Sequence, residues 1–233
     1  MHTRIGKLAI LEGPDCVGKT SIVKFLEQTL MRLGKQVLLV REPGGTDFGE
    51  AVRVLLKSDN VPMNKYTQML SFMAARSQVY SDVIIPALLQ GTTVICDRGL
   101  VSTVVYQGYM QHIHEEMILQ INEKVTQYTS PDLQLILIAE PGVLLERGRS
   151  DDGGRMVGAM DGNLGATNVV DRFDPIDLAA MEQLVGHYQR YYDEHKTDPA
   201  VRLIDANPSF EKVSEKVLYE LLALYPKDEI YGN

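Results

Sequence analysis

The sequence predicts an α/β fold in which a five-stranded parallel sheet is flanked by helices. Two observations lead to this prediction. Five short apolar runs alternate with segments whose apolar residues recur at helical spacing, an alternation typical of a parallel sheet covered on both faces. A glycine-rich phosphate-binding pattern also lies between the first apolar run and the first helical segment. With 233 residues the chain can bury one substantial core, and we expect a single domain over residues 1–233.

The first strand, 8–11, leads into Gly13-Pro14-Asp15-Cys16-Val17-Gly18-Lys19-Thr20, which fits the pattern G-x-x-x-x-G-K-[ST]. A loop of this kind directs backbone N–H groups and a helix N-terminus at one anion, and its glycines permit close backbone approach. Lys19 then reaches the terminal phosphates of a nucleotide, and the Thr20 hydroxyl coordinates Mg²⁺. We therefore expect residues 13–20, with Ser21 beside them, to form a nucleotide site.

The second strand, 36–40, ends in the polar loop Arg41-Glu42-Pro43-Gly44-Gly45-Thr46. Further along, a helical pattern from Tyr66 to Leu89 places Phe72, Arg76 and Tyr80 on one face. An aromatic side chain on a helix usually belongs to the core. The face shared with Arg76 favours another interpretation, in which Phe72 stacks on a base while the guanidinium bonds a base oxygen.

The third strand, 92–96, ends at Asp97 and Arg98, where open parallel sheets place their ligands. We interpret Asp97 as a Walker-B-type carboxylate that holds a water of the Mg²⁺ shell. The alternative is a strand-end residue satisfied by nearby backbone. For Arg98, the position favours a side chain that faces the ligand crevice, and the alternative is a surface charge.

The fourth strand, 133–139, and the fifth, 201–204, flank the least regular part of the chain. Residues 150–170 include five glycines and almost no apolar periodicity. Connections of this length are usually lids or disordered insertions, and the flanking arginines favour a phosphate-covering lid over about 147–172 rather than a solvated surface loop. A long helix is expected next, from residues that repeat at helical spacing: Phe173, Ile176, Ala180, Leu184, Tyr188 and Tyr191.

Composition and charge exclude several functions. The net charge of −8 argues against binding a nucleic-acid polymer, which needs an extended basic surface, although arginines in one cleft can still bind a small anion. No apolar run approaches the roughly 18 residues that span a membrane, so we expect no membrane association. The two cysteines, Cys16 and Cys96, match a reducing compartment. We therefore expect a cytoplasmic protein without a cysteine-based metal framework.

In order and spacing, these motifs resemble the thymidylate kinase family from about Ala9 to the end of the chain. The resemblance lies in four pieces: the P-loop 12–20, the acceptor loop 41–46, the base-binding helix segment 72–76, and the signature D-R-x-x-x-S-[ST]-x-x-Y-Q-G over 97–108. It implies a P-loop NTPase fold with an arginine-bearing lid. It also implies a homodimeric kinase that transfers the γ-phosphoryl of Mg·ATP to dTMP, giving dTDP.

The resemblance implies a role for each matching residue. For the acceptor dTMP, Asp15 would receive the 3′-hydroxyl, and Arg53 and Arg98 would bind the 5′-phosphate. Tyr106 would crowd the 2′ position and so favour deoxyribose. Phe72 would stack on thymine. The other residues expected around the acceptor are Glu42, Pro43, Arg76, Ser102, Thr103 and Gln107, with Arg76 and either Thr103 or Gln107 reading the polar edge of the base.

On the donor side, the resemblance implies that Asn207 lies against the adenine of ATP, and we expect Arg147 in the same site. Thr20, Glu42 and Asp97 would organise Mg²⁺ and its waters. Some family members carry an arginine at the position of Cys16, so this P-loop lacks that charge. We expect it to come from arginines of the lid, with Arg155 and Arg172 joining Lys19, Asp97 and Arg98 as catalytic residues.

The sequence also departs from the family at two positions beside the Asp97-Arg98 pair. Gly99 and Val101 replace residues that are usually larger and usually polar or small, respectively. One rival is therefore a kinase of the same fold that acts on another pyrimidine deoxynucleotide, such as a 5-modified dUMP. A rival of another class is a regulatory nucleotide-binding protein. The sequence contains no N-K-x-D guanine-reading motif, which argues against this rival.

Overall fold

The computed structural model describes residues 4–58, 60–150 and 177–226, with the side chains of residues 149 and 150 excepted. In this part of the chain the strands are β1 (Leu8–Glu12), β2 (Val37–Arg41), β3 (Thr93–Asp97), β4 (Leu133–Ile138) and β5 (Val201–Asp205). The helices are α1 (Lys19–Arg32), α2 (Asp47–Lys57), α3 (Lys65–Val79), α4 (Ile85–Leu89), α5 (Leu100–Thr103), α6 (Glu115–Val125), α7 (Pro141–Ser150), α8 (Leu178–His195) and α9 (Phe210–Leu222). Two π-helical segments, Tyr80–Ile84 and Val104–Met110, continue α3 and α5.

The five strands form one parallel sheet in the order β2-β3-β1-β4-β5, which confirms the predicted fold class. The central strand β1 is buried over its whole length. Its side chains alternate between two cores, as the period of a strand requires. Leu8 and Ile10 pack with the α3–α4 side of the molecule, while Ala9 and Leu11 pack with the side that contains α1, α8 and α9. Helices therefore cover both faces of the sheet.

The helical pattern from Tyr66 to Leu89 is present but not uniform. It consists of α3, the π-helical segment Tyr80–Ile84 and α4, with Pro86 at the start of α4. A proline lacks the N–H that a regular helix needs, so a local change of helical type at this point is expected. The predicted long helix before β5 is also present as α8, which begins at Leu178 because the Asp177 carboxylate accepts a hydrogen bond from the Ala180 N–H. Phe173 and Ile176 lie outside the described residues.

The carboxyl ends of the strands determine where the site forms. The strand order reverses at β1, whose neighbours are β3 and β4, and open parallel sheets bind ligands at such a switch point. Backbone hydrogen bonds continue beyond the strands at this edge, from Arg98 N to Leu11 O (2.9 Å) and from Glu42 N to Asp97 O (3.0 Å). The loops after β1, β2 and β3 therefore meet beside one crevice.

Candidate active site

The loop after β1 has the backbone conformation that close approach to an anion requires. Gly13 and Gly18 have positive φ values of 140° and 94°, and Cys16 between them also has a positive φ, 62°. A Cβ atom on Gly13 would lie 2.3 Å from the Leu137 carbonyl oxygen, so glycine is required there. Gly18 caps α1 without a side-chain hydrogen bond, which leaves the helix N-terminus facing the loop.

Lys19 lies inside this loop rather than on the surface. Its side chain is buried, and Nζ donates to the carbonyl oxygens of Gly13 (2.9 Å) and Pro14 (2.7 Å). Burial, together with the nearby positive charge of Arg98, lowers the pKa of Lys19 to about 8, although Asp15 and Asp97 oppose this shift. An anion in the loop would favour the charged form of this lysine.

Thr20, at the start of α1, and Asp97, at the end of β3, come together. The Thr20 hydroxyl lies 3.4 Å from Asp97 Oδ2, while Asp97 Oδ1 is buried and has no hydrogen-bond partner within the part of the chain that the structure describes. A hydroxyl beside an unpartnered carboxylate oxygen fits Mg²⁺, which binds few protein oxygens and retains several waters. In the same described residues, no group of three or more His, Cys, Asp or Glu side chains could hold a metal by itself.

Next to the phosphate loop is a cavity formed by the loops after β2 and β3 and by helices α2, α3 and α5. Ten of the eleven residues predicted for the acceptor line it: Glu42, Pro43, Arg53, Phe72, Arg76, Arg98, Ser102, Thr103, Tyr106 and Gln107. The eleventh, Asp15, forms an ion pair with Arg98 at the same site. The lining residues that were not predicted are Leu56, Lys57 and Gly99. Lys57 follows Arg53 by one helical turn on α2, a spacing that could have identified it.

At one end of the cavity, Arg76 is held on every side of its guanidinium group. Nε donates to Glu42 Oε2 (2.5 Å), and the two terminal nitrogens donate to Asn122 Oδ1 and Thr103 Oγ1, both at 3.0 Å. Both partners of the Arg76–Glu42 pair are almost fully buried. Burial alone would lower the pKa of Arg76, but the Glu42 carboxylate outweighs it and the pKa is raised, so the guanidinium stays charged.

These contacts bear on two predicted roles. The Glu42 carboxylate contacts Arg76 and lies 4.0 Å from Cys96 Sγ. Of the three residues predicted to organise Mg²⁺, only Thr20 and Asp97 contact each other. The role of Glu42 at the metal therefore stays a prediction. Thr103 Oγ1 already accepts from Arg76. The Gln107 side chain is buried and its Nε2 has no hydrogen-bond partner among the described residues, which leaves its amide group available to a ligand in the cavity.

The other end of the cavity is built around Arg98, whose φ of 72° turns the chain sharply after β3. Its guanidinium pairs with Asp15 and donates to the Gly13 carbonyl oxygen (3.1 Å). Burial alone would raise the pKa of Asp15, but Arg98 outweighs it and the pKa is lowered. The Tyr106 hydroxyl donates to Asp15 Oδ2 (3.4 Å), and the Tyr106 ring lies 5.9 Å from the guanidinium carbon.

A second cavity lies on the other side of the phosphate loop. It is lined by Ser21 and Arg147 together with Val17, Gly18, Ile22, Ala206, Pro208, Ser209, Phe210 and Val213. Arg147 donates to the Ala206 carbonyl oxygen (3.0 Å), which connects α7 to the loop after β5. Asn207 accepts from the Glu140 N–H (2.8 Å) and supports that loop. Arg155 and Arg172, together with most of the predicted lid, lie outside the described residues.

Comparison with known proteins agrees with this geometry. Residues 11–156 match the family model described as thymidylate kinase. A thymidylate kinase of Shouchella clausii is 32% identical over 218 residues, covering 93% of this chain and 94% of the relative. A thymidylate kinase of Clostridium novyi is 41% identical over 143 residues, covering 61% of this chain and 70% of the relative. A thymidylate kinase of Kosmotoga olearia is 31% identical over 217 residues, covering 93% of this chain and 95% of the relative.

Proposed function

The chain belongs to the thymidylate kinase family, and we propose that the cavity around Arg76 and Arg98 is its dTMP site. The enzyme transfers the γ-phosphoryl group of ATP to dTMP. An oxygen of the dTMP 5′-phosphate forms a bond to the γ-phosphorus while the bond to the β-phosphate oxygen breaks, which yields dTDP and ADP. The observation that supports this site best is the assembly of ten predicted acceptor residues around one cavity.

The two ends of the cavity have the chemistry that the two ends of dTMP require. Phe72 lines the Arg76 end with a partly buried ring on which thymine can stack, and the free Gln107 amide can pair with a polar base edge. Arg53 and Arg98 line the cavity with the positive charge that a phosphate requires. Asp15 and Tyr106, which contact each other beside Arg98, suit the sugar between base and phosphate.

The phosphate loop and the second cavity fit ATP. Residues 13–20, with Lys19 among them, suit the phosphates, and the cavity lined by Ser21, Arg147, Ala206 and Pro208 suits the adenosine end. Asn207 does not line this cavity, so its contact with adenine stays a prediction. Thr20 and Asp97 would hold Mg²⁺, directly or through water. When bound, Mg²⁺ supplies charge neutralisation between the phosphates of the donor. Lys19 then binds the phosphates of ATP, and Arg98 binds the phosphate of dTMP. The two reacting groups are thereby aligned beside the same phosphate loop.

Phosphoryl transfer needs alignment, charge stabilisation and exclusion of water rather than covalent help from protein. With Cys16 in the loop, we propose that Arg155 or Arg172 of the lid segment, 147–172, supplies an additional positive charge to the transferring group. We retain the proposal of one domain over residues 1–233, with this segment as its lid. A cytoplasmic location also stays a prediction. Within residues 4–58, 60–150 and 177–226, no helix has both the length and the apolar character needed to cross a bilayer.

We further propose that the enzyme is a homodimer. On α3, the apolar residues Tyr66, Leu70 and Ala74 follow one another at intervals of four and are all exposed. This exposed apolar stripe, defined by those three residues, is supporting evidence because water-exposed apolar side chains in a row often mark protein contacts.

The acceptor assignment is tested by measuring ADP release with a panel of monophosphates. We expect dTMP to be the best substrate and dGMP to be poor, because each buried polar group left unpaired by a wrong base costs about 1–3 kcal/mol. dUMP and 5-hydroxymethyl-dUMP test the rival with a 5-modified substrate. Equal turnover of dGMP and dTMP would contradict the proposed site, and a preference for the 5-hydroxymethyl compound would favour the rival.

A further inference from the structure

Tyr188 on α8 reaches the Arg98 end of the acceptor cavity from behind. Its side chain is completely buried and is absent from the cavity lining. Its hydroxyl oxygen nevertheless lies 3.2 Å from a terminal nitrogen of Arg98 and 3.1 Å from Ser102 Oγ. Ser102 in turn lies 2.5 Å from Oε2 of Glu12, a fully buried carboxyl group at the end of β1. These four side chains form one connected group, which we call the Arg98 support.

The chemistry of these groups gives the hydrogen bonds of the Arg98 support a direction. A guanidinium can only donate, so Tyr188 accepts from Arg98. Ser102 donates to Glu12 and has lone pairs left to accept. The Tyr188 hydroxyl hydrogen is therefore available to Ser102. Each hydroxyl then gives one hydrogen bond and receives at least one. The order runs from Arg98 to Ser102, both directly (3.2 Å) and through Tyr188, and from Ser102 to Glu12.

We propose that Tyr188 is a positioning residue that holds Arg98 in the orientation needed to bind the acceptor phosphate. The arginine side chain is long and loses considerable entropy when it is fixed, whereas a buried tyrosine is rigid. Asp15 and the Gly13 carbonyl hold the guanidinium from the phosphate loop, Ser102 holds it from α5, and Tyr188 holds it from α8. The inference rests on the proposed role of Arg98 in the dTMP site.

The direct test is Tyr188→Phe, with Tyr191→Phe as its matched control. Tyr191 is a buried tyrosine on the same helix, and within the described residues its hydroxyl makes no hydrogen bond that the substitution would remove. Losing a hydrogen bond to a charged group corresponds to a change of about 10- to 100-fold. We expect Tyr188→Phe to reduce kcat/KM for dTMP by this factor and Tyr191→Phe to leave it nearly unchanged, with both variants folded by circular dichroism.

Two further measurements separate positioning from a packing role. Thymidine lacks the phosphate, so its inhibition constant should stay unchanged in Tyr188→Phe while dTMP binding, measured by calorimetry, weakens. If Tyr188 acts through Arg98, Tyr188→Phe should have little further effect on dTMP binding when Arg98→Lys is already present.

The inference is overturned if Tyr188→Phe behaves like Tyr191→Phe, if thymidine and dTMP binding weaken equally, or if the effects of the two substitutions simply add. A wild-type protein that does not phosphorylate dTMP would contradict the proposed function instead, so the two failures are distinguishable.

Discussion

At the scale of single residues, the Glu42–Arg76 pair explains why two charged side chains tolerate burial beside a ligand cavity. Each is the counter-ion of the other at 2.5 Å, and Asn122 and Thr103 satisfy the remaining faces of the guanidinium. Motif comparison led to Glu42 through its place in the acceptor loop, but not to Asn122. The contact between Arg76 and Asn122 joins residues 46 positions apart and depends on how α6 packs against α3.

We predict that Glu42→Gln destabilises the protein by about 3–5 kcal/mol, because it leaves the buried Arg76 charge without its negative partner. The free energy of unfolding in urea measures this change. Glu50→Gln is the control, since its pair with Arg41 is partly exposed and contributes no more than about 1 kcal/mol. If Glu42→Gln has the same free energy of unfolding as the control, the Glu42–Arg76 pair does not stabilise the fold.

The pKa of Lys19, about 8, predicts opposite effects of pH on binding and stability. Above about pH 8 the free enzyme loses the lysine charge, so kcat/KM for ATP should fall. The usual lysine pKa is 10.5, so between about pH 8 and 10.5 the unfolded chain binds more protons than the folded chain. The Lys19 contribution to stability therefore rises with pH over that window.

ATP affinity measured by calorimetry from pH 7 to 9.5 tests this prediction, with urea unfolding at the same pH values. Lys19→Arg provides the control, because an arginine stays charged over this whole pH range. The ATP affinity that this variant retains should therefore not change with pH through loss of charge at position 19. An ATP affinity that is constant up to pH 9.5 in the wild type would contradict the lowered pKa.

At the scale of elements, the π-helical segment Val104–Met110 presents Tyr106 and Gln107 to the cavity. The sequence signature identified both residues, but periodicity did not predict this helical type. A π-helical turn changes which residues face a neighbour, and such turns occur frequently at functional sites. Helices α5, α6, α7 and α9 were not predicted either. Every strand of the sheet was, since buried parallel strands form clear apolar runs.

The position of Tyr106 predicts that its ring, rather than its hydroxyl, selects deoxyribose. Tyr106→Phe loses the hydrogen bond to Asp15 but retains the ring, so dTMP should stay preferred over its ribonucleotide analogue. Tyr106→Ala should reduce that preference by about tenfold or more, because it opens the space that a 2′-hydroxyl needs. The ratio of kcat/KM for the two acceptors measures the preference. An unchanged ratio in a folded Tyr106→Ala variant would place the selection elsewhere.

At the scale of the whole molecule, strand order and motif order together determine which distant residues meet. The three loops at the carboxyl edge could be predicted because each follows an apolar strand. The Arg98 support could not, because the Arg98–Tyr188 contact joins residues 90 positions apart and depends on the packing of α8. Sequence reasoning therefore identified the groups that line the cavity and missed several that hold those groups in place.

The exposed apolar stripe on α3 leads to a prediction about assembly. Light scattering should give the wild type twice the 26.0 kDa mass of the chain. Leu70→Glu should shift the protein towards a single chain, because Leu70 is half exposed in the centre of the stripe and a charge there opposes apolar contact. Leu33→Glu, at an exposed apolar position after α1, should leave the mass unchanged. A wild type that is monomeric at all concentrations would contradict the dimer.

The most direct test of the account follows the transferred phosphoryl group itself. The protein is incubated with ATP labelled at the γ-phosphate, with and without dTMP, and the products are separated by chromatography. We predict that the label appears in dTDP in equal amount to ADP, and that little ADP forms without dTMP because transfer requires both nucleotides in the paired cavities. If the label appears as inorganic phosphate at the same rate whether or not dTMP is present, the protein is a nucleotide hydrolase and the account is wrong.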